Sequence, residues 1–479
     1  MAYTNVFFRQ TRVFWCWLCL PLLATGCMVG PDFQRPQAQV PAAWAAPTAA
    51  PAEQELAQWW TVFNDPLLTT LIERAMRANL DLGKACTQIR QARAARGVAA
   101  GGLGPTVDAT GSYRRSRSPV PPDGVVSDLY QAGFDAGWEL DLFGGTRRSL
   151  EAADADLEAA IEARRDVMVT LTAEVASNYI NLRALQQRLA IAQQNLATRE
   201  HSVALTRQRQ QGGLISGLDR VSAEAQVATA TAQIPPLEAA ARQTIYSLSL
   251  LLGSEPASLL AELTPTAPIP AASPSLAAGL PSDLLRRRPD IRQAEARIHA
   301  STARIGVAIA DLFPRFTLTG AVGTQSSDFG KTFNWANRVW SFGPSVSWRL
   351  FDTGRSQAAI ELRHAMQEED LISYQQTVLA ALGETENALI AAAKEEEHRQ
   401  SLDQAVVANR QAVEMATALY SSGQTDFLAV LDAQRSLHAA EDALAQSNRA
   451  KATDLVALFK ALGGGWGEAG QGRDDLAGN

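Results

Sequence analysis

The side chains that most often carry out catalysis are scattered through this chain of 479 residues. Its five histidines are His201, His299, His364, His398 and His438. Their spacing does not match the patterns that hold a metal ion on one helix face. The sequence also contains no glycine-rich phosphate loop, no Gly-x-Ser-x-Gly motif and no cysteine close to a plausible base. An enzyme, for example a hydrolase of the cell wall, therefore has no residues to support it, and neither a metal nor a cofactor is expected.

Carboxylates are numerous, with 50 acidic against 43 basic side chains and a net charge of −7. An acidic balance of this kind argues against a nucleic-acid partner. Most carboxylates fall at the spacing of exposed helix faces. The run from Glu395 to Glu397 is interpreted as one such exposed face.

Cys27 is the one cysteine for which the sequence indicates a chemical role. An apolar run at 13–23 follows positively charged residues and is too short to cross a bilayer, which needs about 20 residues. Residues 1–26 are therefore predicted to be a cleaved signal peptide. The signal ends in Ala-Thr-Gly-Cys, which resembles the cleavage signal of bacterial lipoproteins, so Cys27 is expected to carry covalent lipid. The segment 27–64, rich in proline and alanine, would then be an extended, lipid-anchored lead.

A β-strand that leads into a very long helix is predicted twice. Residues 130–145 and 340–354 share alternating apolar and small or polar positions, a tryptophan, and a phenylalanine before a glycine turn. The copies are offset by 208 residues at these phenylalanines and by 210 at Gly213 and Gly423, which are predicted to form the turns that end the long helices. The chain is therefore predicted to be a tandem duplication.

Three glycines are predicted to be pivots between strand and helix. Gly144, Gly145 and Gly354 lie where the chain leaves a pleated strand, and glycine reaches the required backbone angles without steric cost. An ordinary glycine at a helix start is the alternative at each position.

The first repeat is predicted to span 65–254 and the second 282–465, with a linker at 255–281 and a C-terminal tail at 466–479. The predicted elements are an opening helix from Asp65 to about Ala100, strands 106–118 and 127–142, a long helix 146–211 and a return helix that runs to Pro235-Pro236, followed by a helix from Arg286 to Ala310, strands 315–326 and 339–350, a long helix 356–420 and a return helix 426–462. Each half is thus expected to contain the same order of elements.

Four predicted strands per chain cannot lie alone in a membrane. Beyond the signal peptide, no stretch of sequence is long and apolar enough for a transmembrane helix, so any spanning part is expected to consist of strands. The edges of a four-stranded set would stay unpaired in hydrocarbon unless further copies of the chain closed them. Three copies would supply twelve strands, within the range of outer-membrane barrels, whereas two would supply eight and an interior filled by side chains.

The segment 146–211 contains neither proline nor glycine and is predicted to form one helix of about 100 Å. Its larger apolar residues recur at steps of three, four or seven, which is typical of a coiled-coil seam. By itself this pattern favours a soluble coiled-coil rod. A structural coiled-coil lipoprotein that bridges membrane and cell wall is the corresponding alternative function. The adjacent membrane-type strands favour a channel, and only a channel would conduct ions in a planar bilayer.

Six motifs, in order along nearly the whole mature chain, resemble those of a known family. They are DPLLTTLI from Asp65, WELDLFG from Trp138, RRRPDI from Arg286, LFDTG from Leu350, LDAQR from Leu431 and ALGGGW from Ala461. Together they resemble the TolC-like outer-membrane efflux channels, specifically the lipoprotein branch that includes OprM and NodT.

This resemblance implies a mainly α-helical protein with a membrane β-barrel. Three chains would build one twelve-stranded barrel in the outer membrane and a long α-helical barrel across the periplasm, with the lipid as a further anchor. The tunnel would be a passive exit duct for drugs or other small solutes, docked on a periplasmic adaptor protein and an inner-membrane transporter of the RND type. An outer-membrane channel for type I protein export is the alternative within the family.

The resemblance also implies a periplasmic gate. Asp219 and Asp432 fall where the family carries an acidic constriction, close to the predicted turns at Gly213 and Gly423. Two other interpretations stay open, since Asp219 lies near enough to a helix start to cap it and Asp432 could be one more exposed helix residue.

Overall fold

The computed structural model describes residues 28–45, 56–119, 124–213, 216–271, 279 and 281–467. Three predicted features lie outside the described residues: the lipidation site Cys27, the signal peptide 1–26 and the tail beyond residue 467.

The chain divides into two compact units. The first comprises 1–37, 88–161 and 293–375, and the second comprises 38–87, 162–292 and 376–479.

Nine α-helices and four β-strands occur within the described ranges. They are α1 (Pro66–Ala78), α2 (Leu80–Gly101), β1 (Thr106–Ser118), β2 (Val125–Leu140), α3 (Gly145–Gln211), α4 (Gly217–Leu251), α5 (Leu260–Leu263), α6 (Pro281–Arg287), α7 (Pro289–Ala310), β3 (Arg315–Ser326), β4 (Arg338–Ser347), α8 (Arg355–Ser421) and α9 (Phe427–Ala461). Equal lengths recur in the two halves, because α2 and α7 have 22 residues, α3 and α8 have 67, and α4 and α9 have 35. No helix within these ranges is both long enough and apolar enough to cross a membrane.

Most element boundaries lie close to the predicted ones. Strands β1 and β3 coincide with the predicted ranges. The two long helices differ from the predicted ones by one residue at three of their four ends. Strand β2 begins and ends two residues before the predicted 127–142, and β4 ends at Ser347 rather than at 350. Seven residues therefore separate β4 from α8, so this strand does not lead directly into its helix.

The single opening helix predicted from Asp65 to about Ala100 is wrong. Asn79 divides it, with an extended backbone at ψ 132°. Its side-chain oxygen accepts from the amides of Asp81 and Leu82 at 2.9 and 3.0 Å, and its amide group donates to the carbonyl of Leu251 at 2.9 Å. Asn79 thus caps α2 while it contacts the end of a distant helix.

The helix predicted from Arg286 to Ala310 is divided in the same way, at Arg288. Proline at 289 disfavours helical angles in the residue before it and suits the first position of α7. The Arg288 guanidinium is bound by Asp290 at 2.7 Å and donates to the carbonyl of Ala461 at 3.0 Å, which holds the break in place.

The prediction that the return helix stops at Pro235-Pro236 is also wrong, because α4 continues through both prolines to Leu251. Each proline removes one helix hydrogen bond, at a cost of roughly 3 kcal/mol in the interior of a helix. Both prolines are exposed, so water can satisfy the carbonyls that lose a partner. Burial of Ile245 and Leu248 further along supports the helix beyond them.

The first unit contains one antiparallel sheet in the order β1-β2-β3-β4. Its register pairs Tyr113 with Tyr130, Phe134 with Val322, and Val322 with Trp340. Because side chains alternate along a strand, one face carries these aromatic and branched residues while the other is mainly polar. Strands β1 and β4 each have one neighbour in the sheet, so both of its outer edges are unpaired among the described residues.

The second unit has an aromatic core next to its helices. Trp59, fully buried in a 3₁₀ turn, stacks on Phe459 of α9 at 5.3 Å between ring centroids. Tyr179 of α3 donates to Asp65, the N-cap of α1, at 2.7 Å. Trp466, predicted to begin the tail, lies below the guanidinium of Arg165 at 4.6 Å and therefore packs on this unit.

Candidate functional site at the helix turns

Two glycine turns end the long helices within the second unit. Gly213 follows α3 with φ +72°, and Gly423 follows α8 with φ +78°. Their amides donate to the carbonyls of Gln210 at 2.9 Å and Tyr420 at 3.1 Å, which closes each helix end. A side chain at either glycine would contact nothing within 4 Å, so the left-handed backbone, rather than space, favours glycine here.

A small apolar cluster joins the four helices next to these turns. It consists of the buried side chains Val203, Ala223, Tyr420, Phe427 and Val430, which come from α3, α4, α8 and α9. The rings of Tyr420 and Phe427 lie 5.2 Å apart. The hydroxyl of Tyr420 is buried and has no hydrogen-bond partner among the described residues. We call this group the turn cluster.

Arg209, near the end of α3, links that helix to the end of α8. Its guanidinium lies 4.5 Å from the centre of the Tyr420 ring. The same group donates to the carbonyls of Tyr420 at 3.1 Å and Ser421 at 3.0 Å. A cation here gives the Ser421 carbonyl a donor, adds a second donor to the Tyr420 carbonyl beside the Gly423 amide, and faces the negative end of the helix dipole. Sequence reasoning missed Arg209, although a basic residue in the last turn of a helix is a recognised signal.

A second ionic link joins α3 to α4. Glu224 accepts from Arg207 at 2.9 Å and from Arg220 at 2.7 Å. These two arginines, Arg207 first, hold the pKa of Glu224 below its ordinary value. The carboxylate therefore stays charged at neutral pH and bridges the helices on either side of the turn.

The two predicted gate residues lie on separate helices. Asp219 is half-buried in the first turn of α4, where the N-cap position is taken by Ser216 without a side-chain hydrogen bond. Asp432 is on α9, its side chain is 58% exposed, and it pairs with Arg435 at 2.9 Å. Asp426, not Asp432, caps α9, accepting from the amide of Ala429 at 3.1 Å. Both gate residues thus lie within two turns of the start of a return helix, and their role as a gate stays a prediction.

A buried polar layer lies further along α3, α4 and α9. Arg199 donates to Asn195 at 2.8 Å and to the side-chain oxygen of Gln226 at 2.6 Å. Burial lowers the pKa of Arg199. His438 is 3.7 Å from Glu441, and burial together with the charge of Arg199 lowers the pKa of this histidine. A neutral His438 therefore fits the layer at neutral pH.

The interpretation of Glu395 to Glu397 as one exposed face is wrong for two of the three residues. Glu395 accepts a short hydrogen bond from Ser447 of α9. Glu396 accepts from Arg399 and from Lys451 of α9, and these cations, Arg399 first, lower its pKa to about 2. Only Glu397, 68% exposed, faces solvent. The run therefore joins α8 to α9, a contact that sequence spacing could not indicate.

The predicted pivots differ in geometry. Gly144 has φ +80° and Gly354 has φ +82°, whereas Gly145 begins α3 and lies outside the left-handed region. A side chain at Gly144 would approach Met28 to 2.7 Å, while one at Gly354 would meet nothing within 4 Å. Whether these glycines act as pivots in assembly stays a prediction.

None of these groups forms a metal centre. Within the part of the chain that the structure describes, no three His, Cys, Asp or Glu side chains come together in a way that could hold an ion. The arrangement can close helix ends and bridge helices through charge.

Comparison with known proteins identifies the family. Residues 71–254 and 280–464 match the model of the outer membrane efflux protein family. Nodulation protein T of Rhizobium leguminosarum bv. trifolii is 31% identical, over 93% of this chain and 96% of that protein. The outer membrane protein OprJ of Pseudomonas aeruginosa is 34% identical, over 94% of this chain and 95% of that protein.

Solved structures agree with this match. The outer-membrane channel OprN superposes with a TM-score of 0.87 at 39% identity, over 92% of this chain and all of that one. The open state of the Neisseria gonorrhoeae MtrE outer membrane channel gives 0.79 at 29% identity, over 92% of this chain and 99% of that one. The resemblance to TolC-like channels inferred from six motifs is confirmed. The chain belongs to the outer membrane efflux protein family and is an outer-membrane channel component of an efflux system.

Proposed function

We propose that three copies of this chain form one twelve-stranded barrel through the outer membrane and one continuous α-helical duct in the periplasm. The duct is a passive exit for drugs or other small solutes. A periplasmic adaptor protein docks on it, and an inner-membrane transporter of the RND type supplies the energy. No step of covalent chemistry is assigned to the chain.

The observation that carries this proposal is the sheet of the first unit, with one apolar face, one polar face and two edges that lack a partner strand in the described part of the chain. In hydrocarbon, each unsatisfied backbone group costs several kcal/mol. Pairing β4 of one copy with β1 of the next satisfies both edges. Twelve strands lie within the range of outer-membrane barrels and leave an interior wide enough for water.

The polar face supports a water-filled interior. Thr110 donates to Asp135 at 2.9 Å, and Gln131 donates to Gln325 at 3.2 Å. Such side chains would be costly against lipid and are satisfied in water. The 67-residue helices α3 and α8, each about 100 Å long, are long enough to line a duct across a wide aqueous space.

The predicted gate and anchor extend the proposal. Three copies would place six carboxylates, from Asp219 and Asp432, around one opening. At about 7 Å in water, like charges repel by only about 0.6 kcal/mol per pair, so helix packing and hydrogen bonds must hold the opening closed. The carboxylates would favour cations. Covalent lipid on Cys27 would add a second anchor, at roughly 0.8 kcal/mol per buried CH₂.

Disulfide cross-linking tests the barrel closure directly. Thr110 of β1 and Ser341 or Ser345 of β4 lie on the polar face, and two strands separate β1 from β4 within one chain. That separation, about 14 Å at 4.7–4.9 Å per strand, is too large for an intramolecular disulfide. Oxidation of Thr110→Cys/Ser341→Cys or Thr110→Cys/Ser345→Cys should therefore give covalent dimers and trimers.

The matched control is Thr110→Cys alone, which should give no such trimers. Covalent tetramers or larger species would refute a trimeric barrel, and monomers alone from both pairs would refute edge closure between copies. Conductance of the purified protein in a planar bilayer separates the channel from a structural rod, since the rod would not conduct.

A further inference from the structure

The loop that joins β3 to β4, at the end of the sheet away from the helices, exposes three aromatic rings. Phe329, Phe333 and Trp335 are 67%, 76% and 76% exposed. Large apolar side chains gathered on one exposed segment mark a surface that contacts something outside the folded chain. We call residues 327–337 the aromatic loop.

Polar side chains of the aromatic loop fix its backbone. Asp328 and Asn334 each accept from the backbone amide two residues further on, at 3.0 and 3.1 Å. The side-chain amide of Asn337 donates across the loop to the carbonyl of Lys331 at 2.8 Å. Such local bonds set the turns without help from apolar packing. The loop therefore has a defined shape while its three rings stay exposed.

Two contacts place the aromatic loop on the apolar side of the sheet. The ring of Phe329 meets that of Tyr130 edge-on, with 5.5 Å between centroids. The ring of Trp335 lies 5.2 Å from the guanidinium of Arg338, which also donates to the Trp335 carbonyl at 3.1 Å. Tyr130 and Arg338 pair with residues of β3 that are two positions apart, so both point to the apolar face. The loop thus leans over the apolar face and away from the polar one.

We propose that the aromatic loop lies on the lipid of the outer membrane and inserts Phe329 and Trp335 at the boundary between hydrocarbon and headgroups. The loop continues the apolar face beyond the ends of the strands, where such a boundary would fall. Aromatic rings gather at this depth, and a tryptophan beside a cation presents an apolar body and a polar edge to it.

This inference rests on the proposed function, which places the apolar face against lipid. It adds where the chain between β3 and β4 goes once it leaves the sheet. A loop held on the lipid side leaves the opening on the polar side of the sheet clear of residues 327–337. This segment then anchors the channel and does not obstruct the exit.

A fluorescent label in place of a ring tests the contact with lipid. The parent protein carries Cys86→Ser, because Cys86 is an exposed free thiol, and its own signal after labelling is subtracted. Full-length Trp335→Cys in this parent is labelled with a thiol-reactive nitrobenzoxadiazole and reconstituted in phosphatidylcholine vesicles. Its emission should shift to shorter wavelength than that of the label in water. Phosphatidylcholine brominated near the headgroup should abolish most of that emission.

Two adjacent positions of β4 are the matched controls. Phe342 lies on the apolar face and is 78% exposed, so the label on Phe342→Cys should be quenched by lipid brominated along its chains. Ser341 is one residue away and points to the polar face, so the label on Ser341→Cys should be quenched by neither lipid.

A label on Trp335→Cys that emits as in water would overturn the inference. A label that is shifted but not quenched would also overturn it, because the ring would then contact protein, such as another copy of this chain. Should Trp335→Cys fail to fold, Phe329→Cys provides the same test, and an unquenched label there would be equally decisive.

The label on Phe342→Cys separates the two levels of the proposal. Quenching on Phe342→Cys without quenching on Trp335→Cys would refute the lipid contact of the aromatic loop alone. Absence of quenching on both would show that the apolar face does not meet lipid, and the proposed function would fail together with the inference.

Discussion

Replacing Arg209 by alanine should loosen the ends of α3 and α8 without unfolding the protein. The guanidinium contacts the Tyr420 ring and two carbonyls at the end of α8. A cation–π contact contributes about 1 kcal/mol, and each hydrogen bond about 0.5 kcal/mol once partial exposure is allowed for. The loss is therefore about 2 kcal/mol, which corresponds to local opening roughly 30-fold more frequent.

Hydrogen exchange of the purified protein measures this opening. Amides near the end of α8, in a peptide covering 412–423, should lose protection by about 30-fold, because local unfolding exposes them. Arg209→Lys keeps the charge but not the planar fork, so it should lie between alanine and the unaltered protein. Arg410→Ala is the control, since Arg410 forms an exposed pair with Glu441 and should change protection little.

Unchanged protection at 412–423 in Arg209→Ala would refute the reasoning, because it would mean that the turn cluster alone holds the end of α8. An equal loss in Arg410→Ala would refute it in another way. The effect would then follow from removal of any positive charge rather than from the contacts of Arg209.

Three further predictions concern the same helices. Tyr420→Phe should leave the free energy of unfolding nearly unchanged, because the lost hydroxyl has no partner among the described residues. Tyr420→Ala should lower that free energy by about 3–5 kcal/mol, because it removes the whole buried ring. Denaturant titration measures the free energy of unfolding of both variants. His438 has a folded-state pKa below its ordinary value, so its neutral form stabilises the fold at higher pH, and that contribution is lost as pH falls from about 7 towards 5. Melting temperatures of the unaltered protein should therefore fall more steeply over that range than those of His438→Gln, and equal slopes would contradict this. Asp219→Asn/Asp432→Asn should reduce cation selectivity in single-channel recordings while leaving oligomer stability nearly unchanged, and unaltered selectivity would place the constriction elsewhere.

Local patterns in the sequence were sufficient to find the long elements. Helix α3 has no proline or glycine between its first residue, Gly145, and its end. Gly213, in the turn that follows it, adopts the left-handed backbone that glycine favours. Strands β1 and β3 follow from alternation of apolar and polar residues, which depends only on neighbours in the sequence. The local sequence of each of these elements is therefore sufficient to predict it.

The breaks and bridges could not be found in this way, because they depend on partners far along the chain. Asn79 divides the opening helix while it contacts Leu251, and Arg288 divides its counterpart while it contacts Ala461. The spacing of Glu395 in the sequence suggests a surface residue, but in the structure Ser447 of α9 donates a hydrogen bond to it. In each case a polar side chain is satisfied by a group more than 50 residues away, which spacing within one helix does not reveal.

The way these helices are held together bears on how the proposed duct could open. The turn cluster has only five buried side chains, and one of them is alanine. Fully burying a large apolar side chain contributes roughly 1.5–3 kcal/mol, so this cluster is weak beside the aromatic core around Trp59. Ion pairs and carbonyl contacts also join these helix ends, as at Glu224 and Arg209. Such contacts can be exchanged for water or for a partner's polar groups when a helix end moves by a few ångströms.

Shifting the ratio of open to closed states from 1:99 to 99:1 requires about 5.5 kcal/mol of preferential binding to the open state. An adaptor that binds the open arrangement at three equivalent helix ends would need to supply only about 2 kcal/mol at each, which is the scale of the contacts that Arg209 makes.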